Sequence, residues 1–221
     1  AATTISGNLT LTNGTLRTTT VNSAYSLTLN NTSASAISGG SAASFIDGAV
    51  LWNLPVLATG TVYQFPVGKG STYLPFTLVN PTTSGTSSAK VEAFSSNCGG
   101  SADGTTLSSI STTEYWSFVA GTNFTNSSVT LAKATAVAPM DAIGGSTAAN
   151  GSYTLLSGTK NPYSISNSDL IGTKRFFTLA KGKPFINTPS PTTLSGFSYY
   201  YGLGPSTEQS FTISSRYLID N

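Results

Sequence analysis

Residues 114–119 read Glu114-Tyr115-Trp116-Ser117-Phe118-Val119, and the large apolar Trp116 and Phe118 alternate with their neighbours. Alternation with a period of two predicts a β-strand that buries one face. We therefore expect Trp116 and Phe118 to lie in a core and not to form a platform for sugar rings. Three more aromatic side chains are predicted to join that core, namely Phe65, Phe94 and Phe177.

Six further strand-like runs lie between residues 55 and 182, with Gly, Pro, Asn or other turn residues between them. The runs are 61–65, 76–79, 90–94, 128–131, 153–156 and 175–179. Seven strands separated by turns predict an immunoglobulin-like β-sandwich over residues 55–182. Residue patterns that form helices are nearly absent, so the predicted fold class is all-β.

Residues 1–54 allow two interpretations. Asn13-Gly14 between short alternating runs is a strong signal for a β-hairpin. Leu9-Thr10-Leu11, however, recurs as Leu27-Thr28-Leu29. This 18-residue spacing is typical of coils in a parallel β-solenoid. Two or three coils cannot stand alone, so the favoured prediction is a short solenoid-like segment packed on the sandwich, with hairpins as the alternative.

The C-terminal part divides into a linker and a short extension of strands. Residues 183–193 contain Pro184, Pro189 and Pro191 and are predicted to form a stiff linker. Residues 194–221 contain strand-like runs at 197–201 and 209–213. So few residues cannot bury a core of their own. We predict an incomplete β module, or a tail that adds strands to a neighbouring sheet.

The composition excludes several classes of function. Only 8% of the 221 residues are charged and the net charge is +2, so the sequence lacks the basic surface that binds nucleic acid. It has no His, and the single Cys98 cannot form an internal disulfide or a cysteine zinc site. No apolar run is long enough to span a membrane. With 34 Ser and 35 Thr, the composition is typical of an extracellular or cell-surface protein.

Two phrases in the sandwich region resemble a known group of modules. Residues 65–75 read Phe-Pro-Val-Gly-Lys-Gly-Ser-Thr-Tyr-Leu-Pro, and residues 110–116 read Ile-Ser-Thr-Thr-Glu-Tyr-Trp. Together with residues 9–14 and 38–48, they resemble modules of large surface proteins of Bacteroidota that the type IX secretion system exports. The resemblance covers about residues 5–180 and continues in residues 194–197 and 204–213.

The resemblance implies a non-enzymatic structural or adhesive module of a secreted cell-surface protein. One alternative is a subunit of an extracellular filament that assembles by exchange of C-terminal strands. Another is an accessory carbohydrate-binding module of a secreted hydrolase. The expected partners are adjacent modules or identical subunits joined through strand pairing, and surface glycans are a further candidate. Nucleic acid and a membrane span are not expected.

No motif predicts a catalytic residue, a cofactor or a metal site. The loop Gly68-Lys69-Gly70-Ser71-Thr72 lacks the spacing of a phosphate-binding loop, so a hairpin turn is expected there. The pairs Ser87/Lys90 and Ser157/Lys160 have the Ser-x-x-Lys spacing but lie in turn-rich sequence without a helix.

Six carboxylates could pair across a cleft, as in a glycosidase, but their spacing singles out no pair. They are Asp47, Glu92, Asp103, Glu114, Asp141 and Asp169. Asp103 and Asp169 are expected in turns. We expect no calcium loop, because the dense Asp/Asn spacing of such a loop is missing.

Overall fold

The structure is a computed structural model and describes residues 3–18, 26–58, 60–186, 190–195, 197–205 and 208–217. Over these residues the protein is all-β, which confirms the predicted fold class. No helix in this part of the chain is long and apolar enough to cross a bilayer. The strands are β1 (Thr3–Ile5), β2 (Leu9–Leu11), β3 (Gly14–Arg17), β4 (Ser26–Leu29), β5 (Ile37–Gly39), β6 (Ser44–Asp47), β7 (Ala49–Leu54), β8 (Val62–Phe65), β9 (Val67–Lys69), β10 (Thr72–Tyr73), β11 (Phe76–Thr83), β12 (Ser87–Phe94), β13 (Ser101–Ala102), β14 (Leu107–Ile110), β15 (Tyr115–Ala120), β16 (Phe124–Ala132), β17 (Ala142–Ser146), β18 (Ser152–Leu156), β19 (Gly158–Asn161), β20 (Ser164–Asn167), β21 (Phe176–Gly182), β22 (Phe185–Ile186), β23 (Tyr199–Tyr200), β24 (Gly204–Pro205) and β25 (Ser215–Arg216).

The chain divides into two compact units, Ala1–Gly182 and Lys183–Asn221, called here the first unit and the tail unit. In the first unit a ten-stranded sheet has the order β1-β4-β7-β12-β15-β21-β17-β18-β13, and β14 pairs with the end of β21. A five-stranded sheet has the order β19-β20-β16-β11-β8. Two smaller sheets, β10-β9-β6-β3 and β2-β5, complete this unit.

Alternation along β15 builds the core as predicted. Trp116 and Phe118 are completely buried, whereas Val119 on the other face is exposed. The indole Nε1 of Trp116 donates a hydrogen bond to the backbone oxygen of Leu74 at 2.8 Å, so its one polar group is satisfied inside the core. The prediction that Trp116 and Phe118 are core residues is confirmed.

Aromatic rings from the ten- and five-stranded sheets contact one another. Phe76 on β11 stacks on Phe118 of β15 with centroids 6.2 Å apart, and it also lies 5.8 Å from Phe177 of β21. Phe65 packs edge-on against Trp52 of β7 at 5.4 Å. These contacts confirm that Phe65, Phe118 and Phe177 share one core.

Phe94 is a correction to the predicted core. It lies at the end of β12, is half-buried, and stacks on Tyr115 with a ring separation of 4.4 Å. Tyr115 pairs with Phe94 across the two strands but faces away from Trp116. The two rings therefore cover the opposite side of the ten-stranded sheet.

All seven strands predicted between residues 55 and 182 form, but others were missed. The central strand β17 reads Ala-Ile-Gly-Gly-Ser and pairs with both β18 and β21. Its Gly-Gly pair resembles turn punctuation in the sequence. A Cβ on Gly144 would approach Leu107 and Tyr153 to 3.1 and 3.2 Å, so close packing explains this glycine.

The first seven strands pair with one another in parallel, and no two that are consecutive in the sequence pair with each other. β1, β4 and β7 form one parallel ladder, β3, β6 and β9 a second, and β2 with β5 a third. The hairpin alternative at Asn13-Gly14 is therefore wrong. The predicted 18-residue register is also wrong, because Leu27 pairs with Thr3 and Leu9 pairs with Ile37.

The tail unit has short strand pairs. β22 pairs with β25 and β23 with β24, in each case over two residues. The strand expected over residues 209–213 is reduced to an isolated bridge between Thr212 and Ser190. Part of the predicted linker, Phe185–Ile186, forms β22 instead. Ile219, a further apolar residue of the predicted extension 194–221, lies outside the described residues.

Candidate functional site

A charged cluster lies where the sheet β10-β9-β6-β3 covers the ten-stranded sheet. Asp47 ends β6 and is 7% exposed. The Nζ atom of Lys69 lies 3.6 Å from Asp47 Oδ1, and Arg17 Nε lies 3.6 Å from Asp47 Oδ2. Asp47 Oδ2 also accepts a hydrogen bond from the backbone N–H of Gly70 at 3.3 Å. Asp47 Oδ1 accepts no hydrogen bond from any described residue.

Glu92 on β12 completes this cluster. It is 5% exposed, and its Oε1 lies 3.9 Å from Lys69 Nζ. Burial raises the pKa of Glu92, and Asp47 raises it further, whereas the positive charges of Lys69 and Lys90 act in the opposite direction. Lys69 therefore lies between two buried carboxylates.

Parallel pairing of β6 and β9 creates this arrangement. Asp47 lies opposite Gly68 in the register, which brings the next residue, Lys69, beside it. A Cβ on Gly68 would lie 2.4 Å from the backbone oxygen of Thr72 and 2.6 Å from the Phe45 ring, so only glycine fits. The segment Lys69 to Thr72 is a β9–β10 hairpin, which confirms the turn predicted for the glycine-rich loop.

A second buried pair joins β15 to the five-stranded sheet. Lys133 Nζ donates a hydrogen bond to Glu114 Oε2 at 2.8 Å, and Glu114 is 3% exposed. Burial would raise the pKa of Glu114, but hydrogen bonds from Lys133, Thr113 and Ser111 outweigh it and lower the pKa. Glu114 is therefore held as a carboxylate, which suits a structural ion pair and not a proton donor.

The other three carboxylates considered from the sequence, Asp141, Asp169 and Asp103, accept hydrogen bonds at loops and strand ends. Asp141 accepts hydrogen bonds from Lys181 Nζ at 3.0 Å and from the backbone N–H of Gly182 at 2.8 Å. Asp169 accepts from the N–H of Ser157 at 2.6 Å.

Asp103 closes the turn between β13 and β14. Its Oδ1 accepts the backbone N–H groups of Thr105, Thr106 and Leu107, and its Oδ2 accepts the two threonine hydroxyls. The small burial of Asp103 raises its pKa, but these hydrogen bonds outweigh that effect and lower it. The predicted turn role of Asp103 is confirmed, whereas Asp169 lies in a bend after β20 and bonds to Ser157, which precedes β19.

A polar groove of about 480 Å³ lies near the ends of β4 and β7. Its lining is mostly hydroxyl and amide side chains, with Asn30, Thr32, Asn53, Leu54, Thr86, Ser87, Ser88 and Thr122. Asn53 Nδ2 donates to Asn30 Oδ1 at 3.1 Å, so these amides already pair. None of the described residues that line the groove has an aromatic ring on which a sugar could stack.

The sequence also contains a Ser-x-x-Lys pair and a single cysteine, and the structure places both. Ser87 and Lys90 both lie on β12, where residues three apart point to opposite faces of the sheet. Cys98 is buried, and its Sγ accepts the backbone N–H of Gly100 at 3.4 Å. Within the described ranges, no group of three His, Cys, Asp or Glu side chains could hold a metal ion.

Sequence reasoning missed the pairing of Asp47 with Lys69 and Glu92. The sequence analysis names all three residues, but it does not show that they lie close together. Their proximity depends on the parallel register of β6 and β9, which no local pattern encodes. Comparison of the chain with family models, with curated proteins and with solved structures found no match.

Proposed function

We propose that this chain is a non-enzymatic structural or adhesive module of a secreted cell-surface protein, as its resemblance to Bacteroidota surface modules implies. In this proposal residues 1–54 form a short solenoid-like stack on an immunoglobulin-like sandwich. One observation carries the proposal. The parallel strands β1, β4 and β7 continue directly into the antiparallel strands β12, β15 and β21 of one sheet.

A continuous sheet suits a mechanical role. Pairing across β4, β7 and β12 transmits load through backbone hydrogen bonds without a flexible joint. Side chains of the ladder and the sandwich also share one core, since Trp52 of β7 packs on Tyr63 of β8 at 5.1 Å. Among the described residues β1 and β3 are the last strands of their sheets, and such edge strands can pair with an adjacent module.

The charged side chains support the same function. Glu114 pairs with Lys133, which follows β16, Asp141 pairs with Lys181 of β21, and Asp103 closes a turn. These contacts use the carboxylates to hold strand ends and a turn. A glycosidase requires two carboxylates about 5–10 Å apart on either side of a bound sugar.

Location and activity are tested separately. An antibody against the protein should label intact cells of its source, and labelling only after permeabilisation contradicts the proposal.

Screens against glycosides, esters and peptides should show no turnover. Turnover that Glu114→Gln or Asp47→Asn abolishes contradicts the non-enzymatic assignment. A glycan array reports on the accessory sugar-binding alternative, for which Thr122→Ala in the polar groove is the diagnostic variant.

The tail unit supports a second candidate, assembly into a filament by strand exchange. Its apolar side chains are exposed, including Phe197, Tyr199, Tyr201, Leu203, Phe211 and Ile213. Its two described strand pairs, β22–β25 and β23–β24, are each two residues long. A neighbouring sheet could accept this segment as an added strand, and a head-to-tail contact of this kind builds an open chain of subunits.

Removal of the tail unit tests this candidate. A chain that ends at Gly182 should stay folded and monomeric, while the full chain should associate as its concentration rises. Light scattering or sedimentation gives the masses. Equal masses for both chains, independent of concentration, contradict assembly through the tail unit and leave the structural role of the first unit intact.

A further inference from the structure

We propose that Lys69 and Asp47 form an intramolecular isopeptide bond, with Glu92 transferring the protons. The inference goes beyond the proposed function and does not depend on it. It rests on three side chains that separate elements bring together: Asp47 from β6, Lys69 from β9 and Glu92 from β12. The bond would join two neighbouring strands of a parallel ladder.

The distances suit this reaction. Lys69 Nζ lies 3.6 Å from Asp47 Oδ1 and 3.9 Å from Glu92 Oε1. Lys69 Nζ therefore lies next to the carboxyl group whose carbon it would attack, and such proximity favours an intramolecular reaction. Asp47 and Glu92 are both more than nine-tenths buried. Asp47 Oδ1 accepts no hydrogen bond from the described residues.

The two oxygens of Asp47 have different surroundings, which assigns their roles. Oδ2 faces Arg17 Nε at 3.6 Å and accepts the Gly70 N–H at 3.3 Å. A negative charge that develops on Oδ2 during attack at Cγ would be stabilised by these donors. Oδ1 faces Lys69, so Oδ1 is the oxygen that leaves as water.

The proton balance closes within the cluster. Glu92 accepts one proton from the Lys69 ammonium and passes it to Asp47, which leaves a neutral amine beside a neutral carboxylic acid. The nitrogen attacks Asp47 Cγ, and a C–N bond forms. A second nitrogen proton moves through Glu92 to Oδ1, the C–Oδ1 bond breaks, and one water molecule departs. The ammonium and carboxylate supply every atom, so no co-reactant or oxidant is needed.

The burial of Glu92 supports its role in both proton steps, while the side chain of Lys69 is 36% exposed. The pKa of Glu92 is raised by burial and by Asp47, so Glu92 can carry a proton at a pH where an exposed glutamate cannot. Lys69 and Lys90 oppose this rise. Amide formation at Lys69 removes the nearer of these two charges.

Intact mass spectrometry of the denatured full-length protein tests the proposal. The mass should be lower than the sequence mass by one water molecule, and proteolysis should release a branched peptide joining the segments around Asp47 and Lys69. Lys69→Arg keeps the positive charge but cannot form the amide, so it should have the full sequence mass. Glu92→Gln should fold and lose the water far more slowly or not at all.

Two controls separate the isopeptide from other outcomes. Asp47-Gly48 could also lose water by closing a succinimide with its own backbone, and that loss would persist in Lys69→Arg. Lys133→Arg alters the shorter 2.8 Å pair, whose described contacts contain no second carboxylate, and should leave the loss of water unchanged. A wild-type protein with the full sequence mass, or a mass loss that survives Lys69→Arg, overturns the proposal. Peptide mapping of the wild type decides the question even if a variant fails to fold.

Discussion

The first unit and the tail unit use the same types of side chain in opposite environments. Trp116 and Phe76 in the first unit are fully buried, whereas Tyr201 in the tail unit is 99% exposed and Leu203 is 86% exposed. Both units contain aromatic residues in alternating runs, so alternation alone does not decide burial. The difference lies in the number of strands alongside. β15 has a neighbour on each side, while β23 pairs only with β24 over two residues.

The largest expected effect comes from the centre of the first unit. Trp116→Ala should lower the free energy of unfolding by about 3–5 kcal/mol, because it leaves a large cavity and removes the hydrogen bond to Leu74. Tyr201→Ala in the tail unit is the matched control and should change stability by less than about 0.5 kcal/mol. Urea titrations of both variants check the contrast. Equal costs for the two substitutions would contradict it.

A smaller effect is expected from the buried ion pair. Lys133→Ala leaves Glu114 as an uncompensated carboxylate in a buried position, and we expect a loss of about 3 kcal/mol. The control is Lys181→Ala at the more exposed pair with Asp141, where the loss should be about 1 kcal/mol or less. Thermal melts of the two variants measure the difference. A larger loss for Lys181→Ala would contradict the assignment of Glu114 as the buried partner.

Features of the fold that depend on local sequence were predictable, whereas features that depend on contacts between distant residues were not. Alternation identified the strand that contains Trp116, because side-chain direction in a strand is a local property. It failed for β17, whose two glycines pack closely against neighbouring side chains. It also gave the wrong register for Leu9 and Leu27, since the ladder depends on loop lengths between coils and not on identical triplets.

The charged cluster was out of reach of sequence reasoning for the same reason. Asp47 and Glu92 were both considered as candidates, and Lys69 was considered only as part of a phosphate-binding loop. Their meeting requires Asp47 to lie opposite Gly68 in a parallel pair and β12 to pass beneath β9. Long-range register of this kind is set by the assembled core and leaves no motif in the chain.

The pH dependence of stability gives a third prediction, at Asp103. Its hydrogen bonds lower its pKa in the folded state below the ordinary 3.8, so the unfolded chain binds the proton first. The stabilisation by the Asp103 carboxylate is complete above about pH 3.8, the pKa of the unfolded chain. It is lost as the pH falls through the lowered pKa of the folded protein. Because the carboxylate is close to solvent, the effect should be about 1 kcal/mol.

Asp103→Asn removes the titrating group while it keeps an oxygen for the backbone N–H donors of the turn. Its unfolding free energy should therefore depend less steeply on pH below 3.8 than that of the wild type. Denaturant titrations at a series of acidic pH values measure both slopes. Parallel slopes for the two proteins would show that Asp103 does not contribute to acid sensitivity.

The smallest effect on stability is expected in the tail unit, where Phe211 and Ile213 are each about half exposed. Replacing both by Ser removes apolar surface that is already largely in water, so the free energy of unfolding should change by less than about 0.5 kcal/mol. Association is a different matter, because these side chains would supply the apolar face of an exchanged strand. The double variant should keep the melting temperature of the wild type yet remain monomeric at concentrations where the wild type associates. A drop in melting temperature as large as that of Trp116→Ala would mean that the tail unit is part of the folding core, and the contrast between the two units would fail.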